Sequence, residues 1–540
     1  MITKLSMKNS SLIIHGLAFL IVSIYLLFSF ALIKDYGITL DAPHNFGIGE
    51  KYLNFYLTGY LNFRDDTPKI KDHPYFDDEI IRSRPYVPWP FVNILSAVTC
   101  YLFYQKLHIL DPISAHCIII PILTALLLYA LFRFVRKYWN DTIALVSIAA
   151  LITYPRFFGD SLSNIKDVPE AVFFSVTMIL FVEWVLSRKL RYLYGGCVCL
   201  GLALATKVDA IFVPVILVLW QLPSLRQIAK AGLPAIRRTA AHMLMGLAIT
   251  CAVILVLYPP LFPGQHGKLD FLIGMFRHIT TTGISKSISW NLYAPVHILY
   301  TTPEIFLVLF IVGLFRALGT FRGSRLDLLL IIWVLFLPLR HCIPFTEHYD
   351  GLRHFLIFII PFSVIAAIGA DYLSGLCSRF VGIKKGWAAT VIGMALIIPN
   401  LYWAVSLHPF QTTYFNSLIG GLKGAQAKDF PYSCDYWMNS SRKAGEWLNT
   451  NATTGARYYA YPSPALLKYY IPRNDITIIS KEEVLRNIPS NTYVVIVPRR
   501  WWLDMERVSI DNLLSVVRRM KTVYQIMRQG GEIVTIYYNP

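Results

Sequence analysis

A succession of apolar segments constrains this chain more than any other feature, because each is close to the length of a membrane-spanning helix. The first runs from about Leu12 to Ile33, and a helix needs about 20 such residues to cross the hydrocarbon core of a bilayer. We therefore expect a polytopic α-helical membrane protein with about eleven spans. The other segments lie at residues 113–132, 141–154, 170–187, 193–206, 208–221, 239–258, 303–319, 326–339, 354–370 and 387–405.

The composition agrees with long segments that have lipid as their solvent. Charged residues make up 15% of the 540 residues and hydrophobic residues 55%, whereas soluble proteins carry about 25% charged residues. The formal net charge is +18. In a chain this apolar, we assign the positive charge to loops that face an anionic membrane leaflet, and we expect no nucleic-acid partner.

Basic residues recur in every second connection between the apolar segments. Such clusters mark the cytoplasmic side, which places the N-terminus in the cytoplasm and the acidic loops on the outer face. A cleaved signal peptide is the alternative for the first segment, but that segment exceeds a typical h-region and no small-residue cleavage site follows it. The basic clusters are Arg133, Arg136 and Lys137; Arg188, Lys189 and Arg191; Arg226, Lys230, Arg237 and Arg238; Arg316, Arg322 and Arg325; and Arg379, Lys384 and Lys385.

Two regions outside the spans are long. The first outer loop covers residues 34–112, and its apolar stretch 89–105 is expected to lie on or dip into the outer face. From about residue 406 aromatic and polar residues alternate, which predicts a small outer α/β domain over residues 406–540, next to a membrane domain over residues 1–405. The predicted elements are strands at 456–461, 491–498 and 531–539 and helices at 440–450, 480–488 and 509–520.

Polar chemistry first collects in GITLDAPHNFGIGE, residues 37–50, just after the first span. Asp41 lies there beside Pro43 and His44. A carboxylate where a span meets water is partly desolvated, which suits a general base. The alternative is an ordinary solvated loop acid.

The connector YPRFFGDSLSNIKDVPEA, residues 154–171, carries more polar groups than a link between two helices needs. Asp160, Asn164, Lys166 and Asp167 are the candidates for a site. The alternative is a self-neutralising turn in which Pro169 opens the next helix.

Two further clusters contain cations on the predicted outer face. Lys207 interrupts an apolar run, where ionisable groups are costly and mark a site or an aqueous cavity, although a tight turn between helices is the alternative. Arg340, Arg353 and His354 lie between two later spans, where an arginine fork at a helix start suits phosphate. The alternative for this second cluster is anchoring to lipid head groups.

Aromatic residues accompany these cations. Tyr349 lies among them, and Tyr293 belongs to the outer loop 259–302, whose aromatics and scattered polar groups suit a sugar. Interfacial aromatic belts have the same composition. Glu79, His266 and His278 are candidate ligands for a divalent metal ion, but their spacing matches no metal motif.

Several stretches together resemble the GT-C superfamily of membrane glycosyltransferases, of the type that includes protein O-mannosyltransferases and lipid A aminoarabinose transferases (families 39 and 83). They are GITLDAPHNFG, SLSNIKDVPEA, GLALATKVDA, YDGLRHFLIFIIP, and TTYFNSLIGGLKGA followed by DYWMNSSRKAGEWLN. The resemblance implies a GT-C fold of about 11–13 transmembrane helices with juxtamembrane helices in the first outer loop. It also implies a polyprenyl-phosphate sugar donor and transfer outside the membrane, usually with inversion.

The resemblance implies roles for individual residues. Asp41 would be the base and Asp167 the second carboxylate, with Asp160 as its competitor. Many members have an acid directly after the first-loop aspartate, and here Ala42 occupies that position, which weakens a metal-binding pair. Lys207 and Arg353 would be candidates for the donor phosphate. From the residues themselves we add Arg340 and His354 for the phosphate, and His44, Asn164, Lys166, Tyr349 and Tyr293 for the substrates.

The function expected from these residues is sugar transfer to an acceptor hydroxyl on a lipid, glycan or protein. By resemblance we expect a bacterial inner-membrane protein whose C-terminal domain lies in the periplasm. A transporter or flippase of a lipid-linked or anionic solute is the alternative, although transporter sites tend to lie near the midplane. A non-catalytic assembly factor is a third hypothesis, disfavoured by the acids near Asp41 and Asp167.

Overall fold

The structure is a computed structural model that describes residues 2–60, 89–224, 232–262, 268–281, 289–346, 348–499 and 511–540. Its first part is helical, as the apolar segments predict. The helices up to residue 406 are α1 (Ile2–Leu32), α2 (Ala42–Thr58), α3 (Phe91–Cys100), α4 (Pro112–Cys117), α5 (Ile119–Tyr138), α6 (Asp141–Thr153), α7 (Pro155–Ser163), α8 (Asp167–Ser187), α9 (Leu190–Leu204), α10 (Phe212–Gln221), α11 (Leu233–Leu257), α12 (Lys268–Thr281), α13 (Tyr293–Thr301), α14 (Glu304–Thr320), α15 (Arg325–Arg340), α16 (Ile359–Val381) and α17 (Lys385–Ser406).

Short helical turns extend or join these helices. A π-helical turn, Tyr101–Lys106, continues α3. The 3₁₀ turns are Ile33–Asp35, Val208–Ile211, Leu222–Ser224, Pro259–Leu261, Arg353–Phe358 and Gln411–Thr413.

Every predicted span falls on a helix, but the helices differ in length. Among the described residues, six helical stretches are long and apolar enough to cross a membrane, or seven if α6 and α7, bent by 67°, form one broken span. The other predicted spans are helices of 10–17 residues, namely α9, α10, α14 and α15. They are short because polar or proline-bearing breaks end them. The six stretches are Ser11–Asp35, Pro112–Tyr138, Asp167–Ser187, Leu233–Leu257, Arg353–Val381 and Lys385–Ser406.

Helix α16 is at the centre of the helical packing. Its first twelve residues are buried, and it contacts α6, α14, α15 and α17. A Cβ atom on Gly313 would lie 1.8 Å from the carbonyl oxygen of Ile365, and one on Gly369 would lie 2.0 Å from that of Leu309. Small residues at such an interface let two helix backbones approach closely. The turn Arg353–Phe358 precedes this rigid helix, so Arg353 has a fixed position.

The C-terminal part forms a five-stranded mixed sheet in the order β2-β1-β3-β5-β4. Strand β1 (Arg457–Tyr461) pairs in parallel with β2 (Thr477–Ile478) and β3 (Thr492–Ile496). Strand β5 (Gly531–Asn539) pairs antiparallel with β3 and with β4 (Lys521–Arg528). The helices here are α18 (Gly421–Ala427), α19 (Ser441–Asn451), α20 (Ala465–Lys468), α21 (Lys481–Arg486) and α22 (511–517).

The three predicted strands are confirmed as β1, β3 and β5, and the three predicted helices as α19, α21 and α22. Strands β2 and β4 were not predicted from the sequence. Both are edge strands, β2 is only two residues long, and β4 is largely exposed. An edge strand lacks the apolar alternation of a strand that is covered on one face.

Four contacts from the C-terminal part hold the chain between the first span and Asp41. The Ile38 amide donates to the Tyr470 hydroxyl at 2.7 Å, and the Ser441 hydroxyl donates to the Ile38 carbonyl at 3.1 Å. The Leu40 amide donates to the Trp437 carbonyl at 3.2 Å. A Cβ atom on Gly37 would lie 2.3 Å from the carbonyl oxygen of Asn439. The C-terminal part therefore fixes the approach to Asp41.

Candidate functional site

Asp41 occupies the position before the first residue of α2, with Pro43 in the first helical turn. Aspartate at such a position commonly caps the helix through its side chain, but here the carboxylate makes no capping hydrogen bond. Instead it accepts a hydrogen bond from Nη1 of Arg353, at 3.2 Å. Its side chain is 39% exposed, so the carboxylate is reachable from outside the protein.

Arg353 links three carboxylates. Its Nη1 lies 3.2 Å from Asp41 and 3.7 Å from Asp167, and its Nη2 lies 2.7 Å from Asp350. The guanidinium also lies over the Trp437 ring, 4.7 Å from the ring centroid. The cation–π contact and the planar fork together fix the orientation of this arginine.

Asp167 is the first residue of α8, and Asn164 holds it in place. The Asn164 side-chain oxygen accepts from the Asp167 amide at 2.8 Å, and the Asn164 side-chain nitrogen donates to the Asp167 carboxylate at 3.1 Å. The same nitrogen lies 3.3 Å from Asp160. The connector predicted to carry chemistry is therefore a buried polar turn whose two aspartates share one asparagine.

Lys207 lies in an extended link between α9 and the turn Val208–Ile211. Its ammonium group is 3.0 Å from Asp167, 3.0 Å from Glu170 and 3.2 Å from Asp209. Both Asp167 and Glu170 have side chains no more than 2% exposed. Buried charges need such partners, because isolated ions are strongly penalised away from water.

The charges around Asp41 decide its protonation. Partial burial raises the pKa of the Asp41 carboxyl, but the positive charges of Arg353 and Lys166 outweigh burial and hold the pKa below its usual value. Burial lowers the pKa of the Lys166 ammonium, and Asp41 and Asp167 oppose the shift only in part. Burial also disfavours the charged form of Lys207, but the carboxylates beside it hold its pKa well above the usual value.

The other predicted site residues lie at different distances from this network. The Tyr293 hydroxyl accepts from the Gly351 amide at 2.9 Å, so it supports the loop that carries Asp350. Tyr349 lies with its ring 5.4 Å from the Arg353 guanidinium and 4.2 Å from the His354 ring. Arg340 lies with its guanidinium 5.0 Å from the Phe212 ring and has no ion pair in the described part of the chain. His44 lies in the first turn of α2.

The sequence reasoning did not select several residues that complete the network. Asp350 and Glu170 belong to stretches already singled out, so their acid side chains were the available signal. Trp437 and Arg499 come from the C-terminal part, and Arg499 pairs with Asp350 at 2.8 Å. Trp437 lies in the stretch DYWMNSSRKAGEWLN that carries the resemblance, but nothing in the sequence places either residue beside Arg353 or Asp350.

The three metal ligands predicted from the sequence cannot be placed in the described part of the structure. Glu79 and His266 lie outside the described residues, as does the side chain of His278.

Comparison with known proteins identifies the architecture. Residues 90–258 match the family model for dolichyl-phosphate-mannose-protein mannosyltransferase. The structure also matches ArnT from Cupriavidus metallidurans bound to undecaprenyl phosphate, with a TM-score of 0.50 and 14% identity over 96% of this chain and 98% of that chain. The chain has the GT-C glycosyltransferase fold.

A second GT-C structure agrees with the first. The oligosaccharyltransferase of Archaeoglobus fulgidus in its apo form matches with a TM-score of 0.50 and 12% identity over 97% of this chain and 74% of that chain. No curated protein sequence matches the chain. At this level of identity the likeness concerns the fold, and any assignment of activity has to come from the residues of this chain.

Proposed function

We propose that this GT-C protein moves a sugar from a polyprenyl-phosphate donor to an acceptor hydroxyl, with inversion, using Asp41 as the general base. The observation that supports the proposal most directly is the difference in solvent exposure among the carboxylates of one ionic network. Asp41 is 39% exposed, whereas Asp167, Glu170 and Asp350 are at most 5% exposed and fully engaged with cations. An acceptor that arrives from outside meets Asp41 first.

The chemistry needs a base and a cation at neighbouring positions. The Asp41 carboxylate takes the proton of the acceptor hydroxyl, and the hydroxyl oxygen attacks the anomeric carbon of the donor sugar. The bond from that carbon to the phosphate oxygen breaks, and polyprenyl phosphate leaves with the electron pair. Arg353 lies 3.2 Å from Asp41 and stabilises the negative charge that develops on the phosphate.

Donor binding also prepares the base. Arg353 is the main positive charge that lowers the pKa of Asp41. A bound phosphate beside the guanidinium offsets part of the positive charge that acts on Asp41, so the carboxylate becomes more basic. The Asp41 carboxylate is therefore a stronger base when the donor is bound.

Lys207 and Lys166 divide the remaining work. Lys207 is held by three carboxylates and keeps Asp167 and Glu170 in place. Lys166 forms no ion pair in the described part of the chain, is half-buried, and lies within electrostatic range of Asp41. We assign Lys166 with Arg353 to the donor phosphate, and Lys207 enters there only if phosphate displaces one of its carboxylates.

The relatives and the residues suggest the setting. The ArnT structure contains undecaprenyl phosphate, and the apolar helices of this chain provide the lipid-facing surface that such a donor requires. The proposal includes a bacterial inner membrane with the Asp41 end of the helices and the C-terminal part on the periplasmic side. The acceptor is an alcohol of a lipid, glycan or protein.

The test compares two first-loop aspartates of similar exposure. Asp35 is 35% exposed and pairs with His408 at 3.0 Å, so Asp35→Asn is a matched control for Asp41→Asn. The measurement is transfer of radiolabelled sugar from a polyprenyl-phosphate pool to membrane acceptors at equal protein levels. Loss of a general base lowers the rate by roughly 10²–10⁴-fold, so Asp41→Asn should fall in that range while Asp35→Asn stays near wild type.

The other outcomes have definite meanings. Equal rates in both variants would move the base to Asp167 or Asp160. No transfer by the wild type, together with movement of a lipid-linked solute across proteoliposomes, would overturn the transferase and favour the transporter alternative.

A further inference from the structure

A second polar cluster lies apart from the ionic network, between the juxtamembrane helices and the first part of a span. Glu50 on α2, Cys100 at the end of α3 and His116 on α4 point at one another, with all three ligand atoms within 4.8 Å. The Nε2 atom of His116 is 2.9 Å from the Glu50 carboxylate. The residues are at most 1% exposed, so these polar groups meet inside the protein.

We infer that Glu50, Cys100 and His116 supply three ligands of a Zn²⁺ site that joins the first-loop helices to the membrane domain. Carboxylate, thiolate and imidazole are all zinc ligands, and thiolate donors favour Zn²⁺ over Mg²⁺ or Ca²⁺. Zinc bonds of about 2.0–2.3 Å separate tetrahedral ligand atoms by roughly 3.3–3.8 Å. The observed separations bracket that range, with 2.9 Å between His116 and Glu50 and at most 4.8 Å for the other pairs.

The surroundings of His116 match those of a zinc-bound imidazole. If Nε2 binds the metal, Nδ1 carries the proton, and the Ser96 hydroxyl oxygen lies 2.8 Å from Nδ1 as its acceptor. The Ser96 hydroxyl in turn donates to the His116 carbonyl at 3.0 Å. The Phe46 ring stacks on the imidazole with centroids 4.1 Å apart. Such partners fix the tautomer and orientation of a ligating histidine.

Charge balance favours the same assignment. One carboxylate and one thiolate neutralise a divalent cation, so the occupied site carries no net charge in a buried location. Binding displaces the thiol proton of Cys100 to solvent, which makes affinity fall at low pH. The competing explanation is a metal-free cluster in which Glu50 pairs with His116 and the Cys100 thiol donates to the Pro112 carbonyl at 3.9 Å.

The backbone brings the ligands together by a close approach of two helices. A Cβ atom on Gly49 would lie 2.0 Å from the Asn93 carbonyl oxygen, so only glycine lets α2 approach α3 this closely beside Glu50. Because Asp41 directly precedes α2, a metal at Glu50 would hold the helix that begins at the proposed base.

The test uses the full-length protein purified in detergent, and its readout is independent of sugar transfer. Zinc content is measured by mass spectrometry after chelation, re-addition of Zn²⁺ and removal of excess ion. Wild type should retain one Zn²⁺ per chain, and the near-isosteric Cys100→Ser and Glu50→Gln variants should lose most of it. Cys117→Ser, a buried cysteine outside the cluster, is the matched control and should retain the ion.

Cobalt substitution identifies the ligands directly. Co²⁺ added to the metal-free protein should give a thiolate-to-cobalt charge-transfer band that disappears in Cys100→Ser and persists in Cys117→Ser. Ser96→Ala should weaken Co²⁺ binding by about 10–100-fold, as loss of a histidine's hydrogen-bond partner does elsewhere. Absence of bound Zn²⁺ in wild type, or an unchanged band in Cys100→Ser, would overturn the site.

Discussion

The two ends of helix α8 carry the same kinds of charged residue in different surroundings. At its first turn, Asp167 and Glu170 pair with Lys207, and all three side chains are at most 9% exposed. At its last turn, Glu183 pairs with Lys137 at 2.6 Å, but the lysine side chain is 50% exposed. Water solvates and screens the second pair and is excluded from the first.

This difference in exposure separates charged residues that many segments of the fold hold in place from those that need only two helices. The pair at the last turn involves two helices, α5 and α8, and needs no further support. The cluster at the first turn draws on α8, the Lys207 link, the turn before α16 and the C-terminal part. Burying a cluster of ions lowers stability. The end of a helix that served only the fold would not require such a cluster, so its presence agrees with a functional role at this end.

The largest expected effect is on stability at the buried end. Lys207→Met should lower the free energy of unfolding by about 3–5 kcal/mol, because it leaves Asp167 and Glu170 buried beside each other without their cation. The measurement is the apparent unfolding temperature in detergent. Partial recovery in the double variant Lys207→Met/Glu170→Gln is the expected sign that the loss comes from unpaired charge. A Lys207→Met protein as stable as wild type would contradict the burial of this cluster.

Arg353→Gln should lower sugar transfer by roughly 10²–10³-fold, since it removes one preorganised charge from the developing phosphate. It should also change the pH profile. The Asp41 carboxylate acts as a base above its pKa, which Arg353 holds below the usual 3.8, so activity is lost as pH falls through that pKa. Without Arg353, the acidic limb of the rate profile should move to higher pH.

A rate loss without movement of the acidic limb would separate the two roles of Arg353. In that case the arginine would act on the phosphate alone. The comparison is made on kcat, which reports groups in the enzyme–substrate complex, and on kcat/KM, which reports the free enzyme. The limb should move in kcat/KM more than in kcat, because bound donor already offsets the charge of Arg353 at Asp41.

Trp437→Leu should have an intermediate effect. The Trp437 ring contacts the Arg353 guanidinium at 4.7 Å, and a desolvated cation–π contact contributes about 2 kcal/mol. We expect a loss of roughly ten- to thirty-fold in transfer, together with a lower unfolding temperature because Trp437 is buried. Trp447→Leu, whose ring stacks on Tyr524 in the C-terminal part at 5.4 Å, is the control. Equal activity losses in the two variants would indicate a general effect on that part of the chain.

The smallest effect should come from the exposed end of α8. Lys137→Met should change the free energy of unfolding by about 0–1 kcal/mol, because exposed ion pairs contribute little. The unfolding temperature in detergent is measured beside that of Lys207→Met. A change at Lys137 as large as that at Lys207 would remove the distinction between the two ends.

The sequence predicted most of the architecture and part of the candidate site. Spans and strands have periodic apolar patterns, so the helical membrane part and strands β1, β3 and β5 were predictable. Asp41, Asn164, Asp167, Lys207 and Arg353 were singled out because ionisable residues are rare beside apolar segments, and the structure brings them together. Their catalytic and binding roles stay predictions.

The pairing within that set could not be predicted. Lys207 was expected at a phosphate, and its ammonium group instead lies among three carboxylates. The separation of Asp167 and Lys207 along the chain does not predict their distance in space. Two antiparallel helices, α8 and α9, lie between them and bring the two residues back to the same end. The cluster of Glu50, Cys100 and His116 was not predicted for the same reason. Glu50 ends the polar stretch 37–50, but Cys100 and His116 are isolated residues in apolar segments far along the chain.

By itself the sequence determined that this chain is a membrane protein with helices in this order, because burial of apolar residues in lipid acts on each segment separately. It also determined which segments carry ionisable groups. The tertiary structure decided which of those groups meet, which one stays exposed, and that Trp437 and Arg499 reach Arg353 and Asp350 from the far end of the chain. These contacts depend on how helices and sheet pack together, and side-chain packing between distant segments leaves no periodic trace in a single sequence.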